Sequence, residues 1–270
     1  MRRRHLVWIG LVLLIAVTLA VACAPWLTPY SPSRLSIANR LQPPSGRWWF
    51  GTDDFGRDVF TRVLYGGRVS LLVGASVVAM ATGLGVGLGL LAGYIRRLDA
   101  PIARLLDAMM AFPDILLAIA LLAALGASAG NVVAALTIVY APRLARVVRV
   151  ATMIIRELPY VEAARAIGAT TPRILLKHVL RNLVSPILVQ GSFIFAHAML
   201  AEAGLSFLGI GISPEVATWG TMISAGKGYL DRAPWLMLFP GMAIILAVLS
   251  LQLIGDGLRD VLDPRLGKEV

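Results

Sequence analysis

The chain has 270 residues, of which 58% are hydrophobic and only 15% charged, and its mean hydropathy is +0.78; one packed soluble core cannot absorb that much apolar surface. The net charge of +10 does not mark a nucleic-acid surface, because Lys and Arg fall in short segments between apolar runs, as membrane topology dictates. The single cysteine, Cys23, excludes an intrachain disulfide and any multi-cysteine zinc or iron–sulfur centre.

Taken in order, the first uncharged run covers residues 6–27 and follows Arg2, Arg3 and Arg4. Ala22-Cys23-Ala24 imitates a cleavage site, but a 22-residue run exceeds the roughly 7–15 residues of a signal h-region, so an uncleaved first helix is favoured. Residues 28–68 are polar and interrupted by Pro29, Pro32, Pro43 and Pro44. Residues 69–95 carry no charge and predict a second span, with Gly83, Gly85, Gly87 and Gly89 alternating within it. Gly85 and Gly89 form a small-xxx-small pair, read as general helix packing rather than a dedicated dimer face. Arg96, Arg97 and Asp99 predict a short turn, and Pro101 suits the start of a third helix over 102–125 that carries Asp107 and Asp114. After a polar turn at 126–131, a fourth helix runs from near Val132 through Arg143, Arg146 and Arg149. Spaced by three, these arginines share one side and mark the emergence of that helix into the cytoplasm. The fifth span is predicted over 183–200 and the sixth within 233–255.

The fold class is therefore an all-α polytopic membrane protein of about six transmembrane helices. It divides into an N-terminal helix with an extracytoplasmic loop (1–68) and a five-helix core (69–270) with a cytoplasmic loop at about 155–182. Six spans put both termini on one side. Seventeen of the 25 Lys and Arg residues fall on that side and eight on the other, which places both termini in the cytoplasm.

The cytoplasmic loop is the most informative stretch. Glu162-Ala163-Ala164-Arg165-Ala166-Ile167-Gly168 offers small residues for close helix contact and a glycine to end the helix. Thr170, Thr171 and Pro172 then restart a second helix leading back to the membrane. Glu162-Ala163-Ala164 with Gly168 resembles the EAA loop of bacterial ABC-importer permeases. Gly51-Thr52-Asp53 with Gly56-Arg57-Asp58, and Arg68-Val69-Ser70-Leu71, are similar to the dipeptide/oligopeptide/nickel permease group. So are Ala201-Glu202 before Leu205-Ser206-Phe207-Leu208-Gly209, and Gly255-Asp256 through Arg259-Asp260 to Asp263-Pro264. One departure is Arg181, where the family usually has proline; at a membrane boundary this side chain can snorkel.

The resemblance implies the type I ABC importer permease fold in a bacterial inner membrane. It implies a second homologous permease, two ATP-binding subunits and an extracytoplasmic solute-binding protein as partners, besides lipid, with no role for nucleic acid. ATP and magnesium would be bound by the ATPases and no cofactor by this chain. Glu162, Ala163, Ala164, Arg165 and Gly168 would form the coupling helix that docks on an ATPase. The substrates implied are di- and oligopeptides, with nickel or another small solute as the alternative.

The remaining polar residues have competing readings. Asp114 lies deep enough to be functional by default, although Pro113 beside it equally suits a structural polar cluster. Glu202, at the outer end of the fifth helix, would meet a peptide amino terminus or, the favoured reading, pair with an outer-loop arginine. Asp53, Asp54 and Asp58 do not follow calcium-loop spacing and read as a structural turn. His5, His178 and His197 are too scattered for a metal site. Residues 221–228 fail the phosphate-loop pattern twice, at Thr221 and Gly228. An intramembrane enzyme using Ser192 and His197 lacks any nucleophile motif, and a secondary transporter leaves the exposed loop without a purpose.

Overall fold

The structure, a computed structural model, describes residues 2–262, with side chains over 5–260. Among the described residues every regular element is helical. α1 (Arg2–Ala22) breaks at Cys23 into the single turn of α2 (Ala24–Leu27). α1 runs antiparallel along the last helix of the chain, placing Gly10 against Ser250 and Leu253 and Val7 against Gly257.

The outer loop is clasped by Asp53. Its carboxylate accepts hydrogen bonds from the backbone N–H groups of Phe55 (2.9 Å) and Arg57 (2.8 Å) and from Arg57 Nε (2.6 Å). Gly56 adopts φ +71°, and a Cβ there would fall 1.8 Å from the Ser36 carbonyl oxygen, so no other residue fits. The aspartates thus build the structural turn expected of them. Asp58 closes the loop as N-cap of the next helix, accepting from Thr61 N (2.8 Å) and Thr61 Oγ1 (2.5 Å). Burial pushes its carboxyl above the usual range, and the Thr61 hydrogen bonds pull the other way.

α3 (Val59–Tyr94) has 36 residues and begins ten residues before the expected second span. Arg62 and Arg68 concealed its first turns, because both are satisfied within the fold. Arg62 is buried beside Asp53 (3.6 Å), and Arg68 donates to the terminal carbonyls of α1, Val21 O (3.0 Å) and Ala22 O (2.8 Å).

The expected third helix is two helices. α4 (Arg96–Met110) and α5 (Asp114–Leu125) meet at 92°. Pro113 is the cause: it stands in an extended conformation (φ −58°, ψ 131°) and disfavours helix at the residue before it. Pro101 does not start a helix either, since α4 is already formed from Arg96. α6 (Ala129–Ile155) follows, N-capped by Ser128, while Asn131 Nδ2 donates to Leu125 O (2.7 Å) and ties α6 to the end of α5.

The loop between α6 and α9 contains α7 (Pro159–Ala166) and α8 (Thr171–Ile174), then a π turn (Leu175–Val179) and a 3-10 turn (Leu180–Asn182) where a continuous second helix was expected. Arg181 lies exposed in that 3-10 turn. α9 (Val184–Phe207), the unforeseen α10 (Trp219–Gly226) and α11 (Trp235–Leu262) complete the bundle. Of the tail motif, Asp263 and Pro264 lie outside the described residues.

Among the described residues four helices are long and apolar enough to cross a membrane, or five if the bent α4–α5 pair is one span. α6 is long enough as well, and its three arginines are what lower its apolarity. Two clusters make the core. One joins α3, α5, α6, the cytoplasmic loop and α9; the other joins α1, α3, α9, α10 and α11.

The tightest seam lies between α3 and α6. A Cβ on Gly85, Gly89 or Gly93 would stand 2.9, 2.6 or 2.6 Å from the carbonyl oxygens of Ala141, Ala145 and Arg149. This is intrachain packing, as read from the sequence, and it reaches one turn further than the Gly85/Gly89 pair. A Cβ on Gly83 would meet nothing within 4 Å. Gly89→Ala should therefore cost about 1–3 kcal/mol through overpacking, while Gly83→Ala should stabilise by up to about 1 kcal/mol through helix propensity. Unfolding of both variants in detergent checks this; equal effects would refute the seam.

Candidate functional site

α7 is short because its ends are specified. Pro159 occupies the first helical turn. At the other end Gly168 takes φ +85°, Ala169 N–H donates to Ala164 O (3.0 Å) and Gly168 N–H to Arg165 O (2.9 Å). That pair of bonds is a Schellman stop. Any residue with a Cβ would be strained there although nothing crowds the position.

The helix has two faces. Val161 and Ala164 are buried in the same cluster as Ile155, Ile174 and Val179. Glu162, Ala163 and Ala166 are exposed, and Ile167 at the tip is 85% exposed. Arg165 differs from the other expected coupling residues. Its guanidinium turns back to the end of α3, donating to the Tyr94 hydroxyl (3.2 Å) and lying 5.0 Å over the Tyr94 ring. At the far end of the loop Asn182 Nδ2 donates to Tyr160 Oη (3.1 Å) and to His178 O (2.6 Å).

The arginine stripe of α6 forms a ladder of ion pairs. Arg143 meets Asp114 on α5, and Arg146 and Arg149 meet Asp107 and Asp99 on α4, each at 2.5 Å. Asp114 therefore belongs to a polar cluster, the second of its two readings. The ladder clips the bent α4–α5 elbow to α6. The signal was present in the sequence as three acids and three bases on flanking segments, but only the elbow brings them together.

Glu202 is 1% exposed and has no arginine partner among the described residues, contrary to the favoured reading. It accepts hydrogen bonds from Ser206 Oγ (2.9 Å) and from Thr218 Oγ1 (3.0 Å), the N-cap of α10. Four of the six arginines in residues 28–68 are engaged elsewhere: Arg57 and Arg62 at Asp53, Arg68 on α1, and Arg47 over the Trp48 ring. Glu202 pins α10 to α9, far in sequence from the coupling loop, and the buried Trp219 anchors α10 to α3 through Val63 O (2.8 Å).

The loop thus presents a short two-faced helix between α6 and α9, closed by a glycine stop. Residues 85–268 match the family described as the binding-protein-dependent transport system inner membrane component. The chain belongs to this family. It is thus a membrane-spanning permease subunit of ABC importers, and not an enzyme. Residues 1–44 match the N-terminal transmembrane domain of oligopeptide transport permease C. A Brucella suis protein provisionally named as a peptide transport system permease is 52% identical over 269 residues, covering 100% of this chain and 90% of its own. The dipeptide transport system permease protein DppC of Alkalihalophilus pseudofirmus is 45% identical, over 98% of this chain and 88% of its own. The di/tripeptide transport system permease protein DppC of Pseudomonas aeruginosa is 42% identical, over 95% and 87%.

If the ladder holds the elbow, its rungs should couple energetically. Double-mutant cycles to alanine should give about 0.5–1 kcal/mol at the more exposed Asp107–Arg146 pair and a larger value at Asp99–Arg149, which is less exposed. Zero coupling at both, measured by unfolding in detergent, would refute it.

Proposed function

We propose that this chain forms, with a second homologous permease, the inner-membrane path by which a bacterial importer takes up di- and oligopeptides. The observation that carries the mechanism is the two-faced α7, rooted by Val161 and Ala164 and exposing Glu162, Ala163 and Ile167. The names of the relatives support peptide substrates over nickel. A solute-binding protein delivers substrate outside. Two ATP-binding subunits dock on the cytoplasmic side and supply ATP and magnesium, and both termini share that side. This chain needs no cofactor for its part.

ATP-driven closure of the ATPases would displace α7, and its buried face would carry the movement into α6, α3 and α9. The result is a shift between inward- and outward-open populations, as large as the difference in ATPase affinity for the two states. Arg165 serves this scheme by holding α7 to α3 rather than by touching the ATPase.

The test is co-purification with the neighbouring-gene ATPases, followed by peptide uptake in proteoliposomes. Gly168→Arg and Glu162→Lys should each reduce ATPase retention by about tenfold or more, a loss of about 1.4 kcal/mol, and uptake should fall with it while the fold persists. Undiminished retention in both variants would overturn the docking role of α7.

A further inference from the structure

At the ends of α3 and α6 lies a cleft of about 380 Å³, lined in part by the Arg165–Tyr94 contact that holds α7. Its polar lining is Tyr94, Arg96, Arg156, Glu157, Arg165 and Thr171. Three guanidinium groups thus face one carboxylate. Glu157 accepts from Arg156 Nε at 2.9 Å and stands 3.8 Å from Arg96, so one anion serves two of the cations. The third, Arg165, has only the neutral Tyr94 as partner.

The cations are also held in place before any ligand arrives. Arg156 is 14% exposed and donates to the Gly93 carbonyl oxygen at 2.7 Å. Arg165 is stacked on Tyr94. Arg96, 82% exposed, is the adaptable member. Two unneutralised positive charges on a prearranged frame suit an oxyanion that accepts several charge-assisted hydrogen bonds.

Position selects the source of that oxyanion. The cleft opens where two membrane-crossing helices end, at Tyr94 and Ile155, on the side richer in Lys and Arg. That is the depth of lipid headgroups, and basic pockets between helix ends on this side recognise anionic ones.

We propose that this cleft binds the phosphate of an anionic phospholipid, with Arg96 and Arg165 recognising it and Arg156 fixing the floor of the site. The bound phosphate bridges the ends of α3 and α6 to α7, so the lipid stiffens the coupling loop.

The full chain, without ATPases, is placed in nanodiscs of phosphatidylcholine containing phosphatidylglycerol, and retained lipid is counted by native mass spectrometry. This readout is independent of whether α7 docks an ATPase. Wild type and Arg104→Gln, which removes an exposed charge from α4 outside the cleft, should retain phosphatidylglycerol equally. The Arg96→Gln, Arg165→Gln double variant should bind it about thirtyfold more weakly, two surface arginines' worth. Arg96→Gln alone, which leaves the Tyr94 contact intact, should show an intermediate loss and guards against a folding artefact. Equal retention in all variants would overturn the site. So would displacement of the lipid from the wild type by inorganic phosphate, which would leave the cleft to a free anion.

Discussion

The close contact between α3 and α6 governs the rest of the architecture. In lipid there is no hydrophobic drive between helices, so association depends on dispersion contacts between surfaces that fit. Gly85, Gly89 and Gly93 remove the side chains that would keep the helices apart, and the α6 backbone rests on the stripe they leave. This approach fixes the rotation of α6. With its Ala141, Ala145 and Arg149 carbonyls against α3, its arginine side chains turn towards α4 and α5. It also brings Arg156 within 2.7 Å of the Gly93 carbonyl, so the seam that packs the bundle aligns the start of the loop that carries α7.

Charge inside an apolar bundle is tolerated here only where it is answered. The ladder pairs three arginines with three aspartates across an elbow. Arg68 neutralises helix-end carbonyls, Arg62 shares Asp53 with Arg57, and Glu202 is satisfied by two hydroxyl groups. Leaving the buried members, Arg62 and Glu202, without partners would cost several kcal/mol, whereas the exposed Asp107–Arg146 rung contributes far less. The cytoplasmic cleft is the exception, where guanidinium groups outnumber the carboxylate, and this imbalance separates it from the structural pairs elsewhere.

Most spans, their order and the short helix that stops at Gly168 were legible because each rests on local signals: uncharged runs and a glycine that ends a helix. What escaped depends on contacts between distant residues. The first ten residues of α3 read as loop because Arg62 and Arg68 look like solvent charges until Asp53 and the end of α1 are placed beside them. The α4–α5 bend was signalled by Pro113, but a continuous apolar pattern over 115–125 outweighed one breaker. Glu202 was paired with an arginine by proximity in topology, whereas the outer loop folds on itself and uses those arginines first. α10 was missed because its eight residues carry little periodicity, and its helix is set by the Thr218–Thr221 capping box and the Trp219 anchor.

How α7 would pass on a push is decided by comparing its attachments. The stacked Arg165–Tyr94 contact is worth about 0.5–1 kcal/mol at an exposed site, and the hydrogen bonds of Asn182 are similarly small. Burying Val161 alone contributes about 1.5–3 kcal/mol, and Ala164 adds to it. The apolar root therefore dominates, and it joins a cluster that already contains residues of α3, α6 and α9. A displacement of α7 then moves the packed ends of those helices together, because a close-packed interior transmits strain rather than absorbing it. The buried Val179 and Leu183 tie the turns after α8 into the same cluster, so a push on α7 would reach α6 and α9 through one packed body.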